Sequence, residues 1–103
     1  MYVLRRTVGT SISILAKDVS INIKLAELDF LGGCAVIEIK RDNGEDMQEE
    51  NMGAGEIRRI HADVSLQLLR MSYASHEGTP ACVAEFGITA PRSIPIFRAE
   101  LDI

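Results

Sequence analysis

Two cysteines, two histidines and no long apolar run leave this chain of 103 residues with few of the usual signs of a specialised protein. Cys34 and Cys82 are too few to staple a secreted fold and have no Cys-x-x-Cys spacing, so they read as buried reduced thiols. No apolar stretch approaches the length of a membrane span, so no membrane partner is expected. The N-terminus alternates apolar and charged residues at once, without the uninterrupted core of a signal peptide, which reads as a cytoplasmic protein. His61 and His76 stand apart, with no cysteine or carboxylate spacing that marks a metal site. Gly53-Ala54-Gly55 lacks the third glycine of a dinucleotide fingerprint, and there is no Gly-Lys-Ser/Thr phosphate loop. Ser11 and Ser13 lack an elbow motif and a partnered base. These absences argue against an enzyme and imply no cofactor.

What is present is ordinary globular material: 47% hydrophobic and 25% charged residues. A chain of this length makes one domain, removing roughly 65% of its unfolded surface from water. The net charge is −4. Its distribution is uneven, because residues 1–24 hold four basic side chains and one acidic, whereas residues 25–62 hold four basic and nine acidic. A locally basic surface is therefore compatible with a globally acidic chain.

Period-two alternation is the main structural signal. Residues 2–7 and 11–15 read as short strands joined by a tight Val8-Gly9-Thr10 connection, with Gly9 suited to a positive φ. Val19, Ile21, Ile23 and Leu25 alternate with polar residues as a half-buried strand, and Gly32-Gly33 turns the chain into a second strand over Cys34–Lys40. Residues 41–55 are polar and read as a mobile connection whose carboxylates either are simply solvated or imitate RNA phosphates. The segment 56–72 fits either a helical face (Ile57, Ile60, His61, Val64, Leu68, Met71) or a strand over 63–70. Asp-Val-Ser at 18–20 recurs at 63–65, each copy leading through an alternating run and a glycine turn to a Cys-led strand, which tips the segment towards a strand and suggests a duplicated hairpin.

The two ends carry the most specific signal. Leu4, Arg6, Val8 and Gly9 at one end, and Ala90, Pro91, Ile94, Ile96, Arg98 and Glu100 at the other, resemble the first and last strands of the carbon storage regulator family (CsrA/RsmA), small bacterial RNA-binding proteins. The resemblance covers about a third of the chain. It implies a mainly β fold, an intertwined homodimer in which the first strand of one subunit lies beside the last strand of the other. On that template residues 1–15 are the N-terminal strands, about 17–62 an inserted hairpin or helix, and 63–103 the C-terminal strands. The implied activity is binding of GGA-containing hairpins in mRNA leaders or small regulatory RNA, which blocks ribosome access. The implied RNA site is Leu4, Arg6, Ala90, Pro91, Arg92, Ile96 and Arg98, where arginine can bind phosphate bidentately or stack on a base. Thr7, Phe97 and Pro95 depart from the family pattern. Thr7 and Phe97, with the acidic middle segment, favour the alternative of a protein-interaction module or protein antagonist that has lost specific RNA binding.

Overall fold

The computed structural model describes residues 1–76 and 78–99. They form nine strands: β1 (Tyr2–Thr7), β2 (Ser11–Leu15), β3 (Ser20–Asp29), β4 (Cys34–Arg41), β5 (Gln48–Gly53), β6 (Ile57–His61), β7 (Val64–His76), β8 (Thr79–Thr89) and β9 (Ile96–Ala99). There is no helix among the described residues. All strand pairs are antiparallel, in one sheet of order β1-β8-β7-β6 and another of order β5-β4-β3-β2-β9. Alternating β-branched and leucine side chains give each sheet one apolar face. Leu4, Val64, Leu66, Leu68, Phe86 and Ile88 from the first sheet meet Ile12, Ile14, Ile21, Ile23, Leu25, Ile37 and Ile39 from the second in a single core. The Cα radius of gyration, 13.2 Å, matches the value of about 13 Å expected of a compact domain of this size.

The strands expected over 2–7 and 11–15 and the hairpin formed by 19–40 are present. Two expectations need correction. Residues 41–55 are not simply a connection, because β5 runs along β4 from Cys34↔Gly53 to Ile39↔Gln48. Only Met52 of β5 is fully buried, so the strand is held at the sheet edge by main-chain pairing and needs little apolar sequence. The helical alternative for 56–72 also falls. Gly55, with φ of 87°, turns the chain into β6, and the turn at Ala62-Asp63 divides the stretch into β6 and β7. The apolar positions that imitate a helical face are Ile60 from one strand and Val64 and Leu68 from the next.

The path of β1–β4 is repeated by β5–β8. Each half donates its first strand to the sheet built by the other half: β1 lies against β8, and β5 lies against β4. Equivalent positions pair in the same way. Leu4↔Phe86, Arg6↔Ala84 and Thr7↔Val83 correspond to Glu50↔Ile37, Met52↔Ala35 and Gly53↔Cys34. The crossovers share their hydrogen bonds: Thr10 N–H to Thr7 C=O at 3.1 Å matches Glu56 N–H to Gly53 C=O at 3.0 Å. Gly9 N–H to Leu25 C=O and Gly55 N–H to Leu68 C=O are both 2.7 Å. The two glycines have φ of 95° and 87°. Even the bulges coincide, at Leu25/Glu27 and Leu68/Arg70.

The duplicated unit is thus larger than one hairpin, and its register differs from the tripeptide match. Asn22 pairs with Ser13 as Ser65 pairs with Arg59, so Ser65 corresponds to Asn22 and not to Ser20. Cys34 likewise corresponds to Val83, one residue beyond Cys82. Residues 17–62 supply β3 to β6, and so contribute most of one sheet.

Candidate ligand cleft between the first and last strands

β1 and β9 edge different sheets and do not pair with each other, yet they border the same side of the sandwich. Their connection is built after β8. Ile94 N–H donates to Pro91 C=O at 3.1 Å, closing a turn, and Leu15 N–H donates to Pro95 C=O at 3.0 Å, seating the following strand on β2. Pro95 therefore works as an acceptor at the start of β9, where its missing donor costs nothing in the ladder. Ile96 then pairs opposite Ile14, and Arg98 opposite Ile12.

This arrangement leaves an open cleft of about 330 Å³. Met1 and Tyr2 line it from the β1 side, and Ala90, Pro91, Arg92, Ile94 and Ile96 line it from the loop and β9, with Ile88 between. Tyr2, Pro91 and Arg92 are exposed, whereas Ala90, Ile94 and Ile96 are half-buried against the core. Four of the residues singled out from sequence, Ala90, Pro91, Arg92 and Ile96, are brought together here. Arg98 is exposed further along β9. Glu100, part of the terminal motif, lies outside the described residues.

Leu4 and Arg6 have a different setting. Both are only 3% exposed, belong to the buried face of β1 and do not line the cleft. Period two explains this, since Leu4 and Arg6 share the inner face while Val3 and Arg5 face out. Arg6 Nε donates to Thr10 Oγ1 at 2.9 Å, and that hydroxyl donates to Thr7 C=O at 2.7 Å, tying the guanidinium to the β1–β2 crossover. In the other half the equivalent inner position is Met52.

Sequence reasoning misses Met1 and Tyr2 as cleft residues, because period two says only that Tyr2 shares the side of Leu4 and Arg6. It also misses a second hollow behind the same loop. Pro91, Ser93 and Ile94 face Lys17, Asp18, His61 and Asp63 across it, and His61 Nε2 lies 2.9 Å from Asp18 Oδ1. Phe97, one of the departures from the family pattern, is 44% exposed and pairs opposite Ser13.

Other chemistry is sparse. No cluster of three or more His, Cys, Asp or Glu suited to a metal occurs among the described residues. Cys34 and Cys82 are free and half-buried. The Glu56 carboxyl is held below the usual glutamate range, first by the Gly53 N–H at 2.7 Å and then by Arg58 at 2.7 Å. No helix of the described residues is long and apolar enough to cross a membrane. Comparison with protein-family models, with curated proteins and with solved structures finds no match.

Proposed function

We propose that this chain is a non-catalytic RNA-binding regulator of the kind its terminal motifs resemble, taking an unpaired, GGA-containing segment of an mRNA leader or small regulatory RNA into the cleft between β1 and the Ala90–Pro95 loop. The observation that carries this reading is the meeting of the two chain ends: Met1 and Tyr2 line one wall and Ala90, Pro91 and Arg92 the other. An exposed tyrosine offers a ring on which an unstacked base can lie, while Arg92 and Arg98 offer charge to the phosphates. The backbone of an exposed loop supplies further donors and acceptors for base edges. Leu4 and Arg6, buried on the inner face of β1, then hold β1 and the crossover in place and do not touch RNA themselves. Regulation follows from occupancy of the leader, with no bond made or broken.

The experiment is a salt titration of binding to a short hairpin with GGA in its loop, beside a loop-mutated control. The expected result is loop-dependent binding that weakens as salt rises, since phosphate contacts release counterions. Folded protein that ignores both hairpins would remove the RNA reading.

A second reading, a protein-interaction module or antagonist, is favoured by the apolar surface. Phe97 is 44% exposed, Tyr73 69% and Leu31 fully exposed, and the Tyr73 ring stacks on Phe30 with centroids 4.5 Å apart. Aromatic side chains of this kind anchor protein interfaces.

A further inference from the structure

The duplicated path gives this chain two sides that are equivalent by its internal two-fold relation, and only one of them has a last strand. On the first side β9 covers the outer edge of β2 and the cleft opens between β9 and β1. The equivalent strand of the first half would lie beside β6, the counterpart of β2. Only residues 42–47 separate β4 from β5, and no strand pairs with the outer edge of β6 among the described residues.

Two arginines seal that position instead. Arg41 donates through Nη2 to Ile60 C=O at 2.6 Å and through Nη1 to Gln48 Oε1 at 2.6 Å. Arg58 donates through Nη2 to Asn51 C=O at 3.2 Å while its Nη1 meets Glu56 Oε2 at 2.7 Å. These charged groups bind main-chain carbonyls of β5 and β6, one of the ways a sheet edge is blunted against further pairing. The exchange of first strands is already complete within the chain, and so is the core.

We infer that one chain does by itself what an intertwined pair would do: it is a self-sufficient monomer that captures a single RNA segment and cannot bridge two. The valency rests on the RNA reading; the oligomeric state does not. A strand exchange completed inside the chain leaves no first strand to be traded with a second copy. A cleft between a first and a last strand on one side only, among the described residues, restricts the partner to RNA with one accessible loop per bound protein, and avidity from paired loops is absent.

The test measures mass by light scattering during size exclusion, and stoichiometry by calorimetry, using the full chain and a GGA-loop hairpin. The expected mass is that of one chain, 11.3 kDa, with one hairpin per chain. Calorimetry on a tandem RNA with two GGA loops is expected to give two chains per RNA and the same affinity per loop as the single hairpin. Ile96→Asp, on the β9 side, is expected to lower affinity at least tenfold, and Arg58→Ala, on the sealed side, to leave it unchanged. Circular dichroism of each variant separates lost binding from lost folding. A doubled mass, or two hairpins per chain, overturns the inference. A monomer that binds no hairpin removes the RNA reading and the valency with it, while the self-sufficient fold stands.

Discussion

The two sides of the sandwich begin from equivalent strands and end differently. On one, the inner position of the swapped first strand is Arg6, the crossover is latched by Thr10, and a further strand, β9, borders a cleft. On the other, the same inner position is Met52, the crossover is latched by Glu56, and arginine side chains stand where a strand would be. Main-chain geometry is thus shared while side-chain chemistry is not. Met52 shows that an apolar side chain satisfies the fold at this position, and the polar choice at Arg6 coincides with the side that has the cleft.

The largest expected effect comes from exchanging these two residues. Met52→Arg places a charge among the core residues without the Thr10 partner of its counterpart, and should cost about 3 kcal/mol or more in urea unfolding. Arg6→Met removes the guanidinium from Thr10 while leaving the crossover hydroxyl behind, and should cost about 1–3 kcal/mol, less than Met52→Arg. A loss from Arg6→Met as large as that from Met52→Arg would show that the halves are not equivalent in packing.

Next is the cleft itself. Tyr2→Ala should weaken binding of the GGA hairpin by about 1–3 kcal/mol, the usual worth of a base stacked on an aromatic ring. The corresponding change on the other side, Gln48→Ala, should leave RNA affinity as it was. Equal losses from both would place the RNA elsewhere.

The crossovers offer a sharper test of equivalence. Gly9 and Gly55 both have positive φ, and a Cβ at either would meet nothing within 4 Å. Alanine at each should therefore cost only the backbone penalty, about 1–2 kcal/mol, and nearly the same amount at both. Unequal costs measured by thermal unfolding would mean that the shared hydrogen bonds conceal different strain.

The smallest effect concerns pH. Glu56 has its carboxyl held below the usual range first by the Gly53 N–H and then by Arg58, so the folded state favours the ionised form. Its contribution is present above the unfolded glutamate pKa and is lost as pH falls through the lower folded value. Glu56→Gln should remove part of the acid sensitivity of unfolding, and Thr10→Val, at the equivalent crossover, should not. Identical acid profiles for parent and Glu56→Gln would remove this carboxylate from the account.

Much of the strand content is written locally. Alternation over residues 2–7, 11–15 and 19–40 is enough to place β1 to β4, because one sheet face must be apolar to be buried. β5 is not legible in the same way: Gln48, Glu49, Glu50 and Asn51 carry no apolar alternation, and only the partner strand β4 makes them a strand. The cleft was legible in part. Ala90, Pro91, Arg92 and Ile96 stand out by motif, whereas Leu4 and Arg6 share that motif and are nevertheless buried, since a pattern along one strand says which residues share a face and not which face meets the core.

By itself the sequence determined a mainly β chain with turn glycines at the crossovers and two ends bearing related signals, because alternation and backbone freedom are properties of neighbouring residues. Tertiary structure alone decided that β1 pairs with β8 and β5 with β4, that the halves repeat in a register the tripeptides do not mark, and that one side carries a cleft while arginines seal the other. Those outcomes depend on which edges meet after the core closes: β1 and β8 come from opposite ends of the chain, and β5 has no apolar alternation of its own, so neither pairing leaves a local trace.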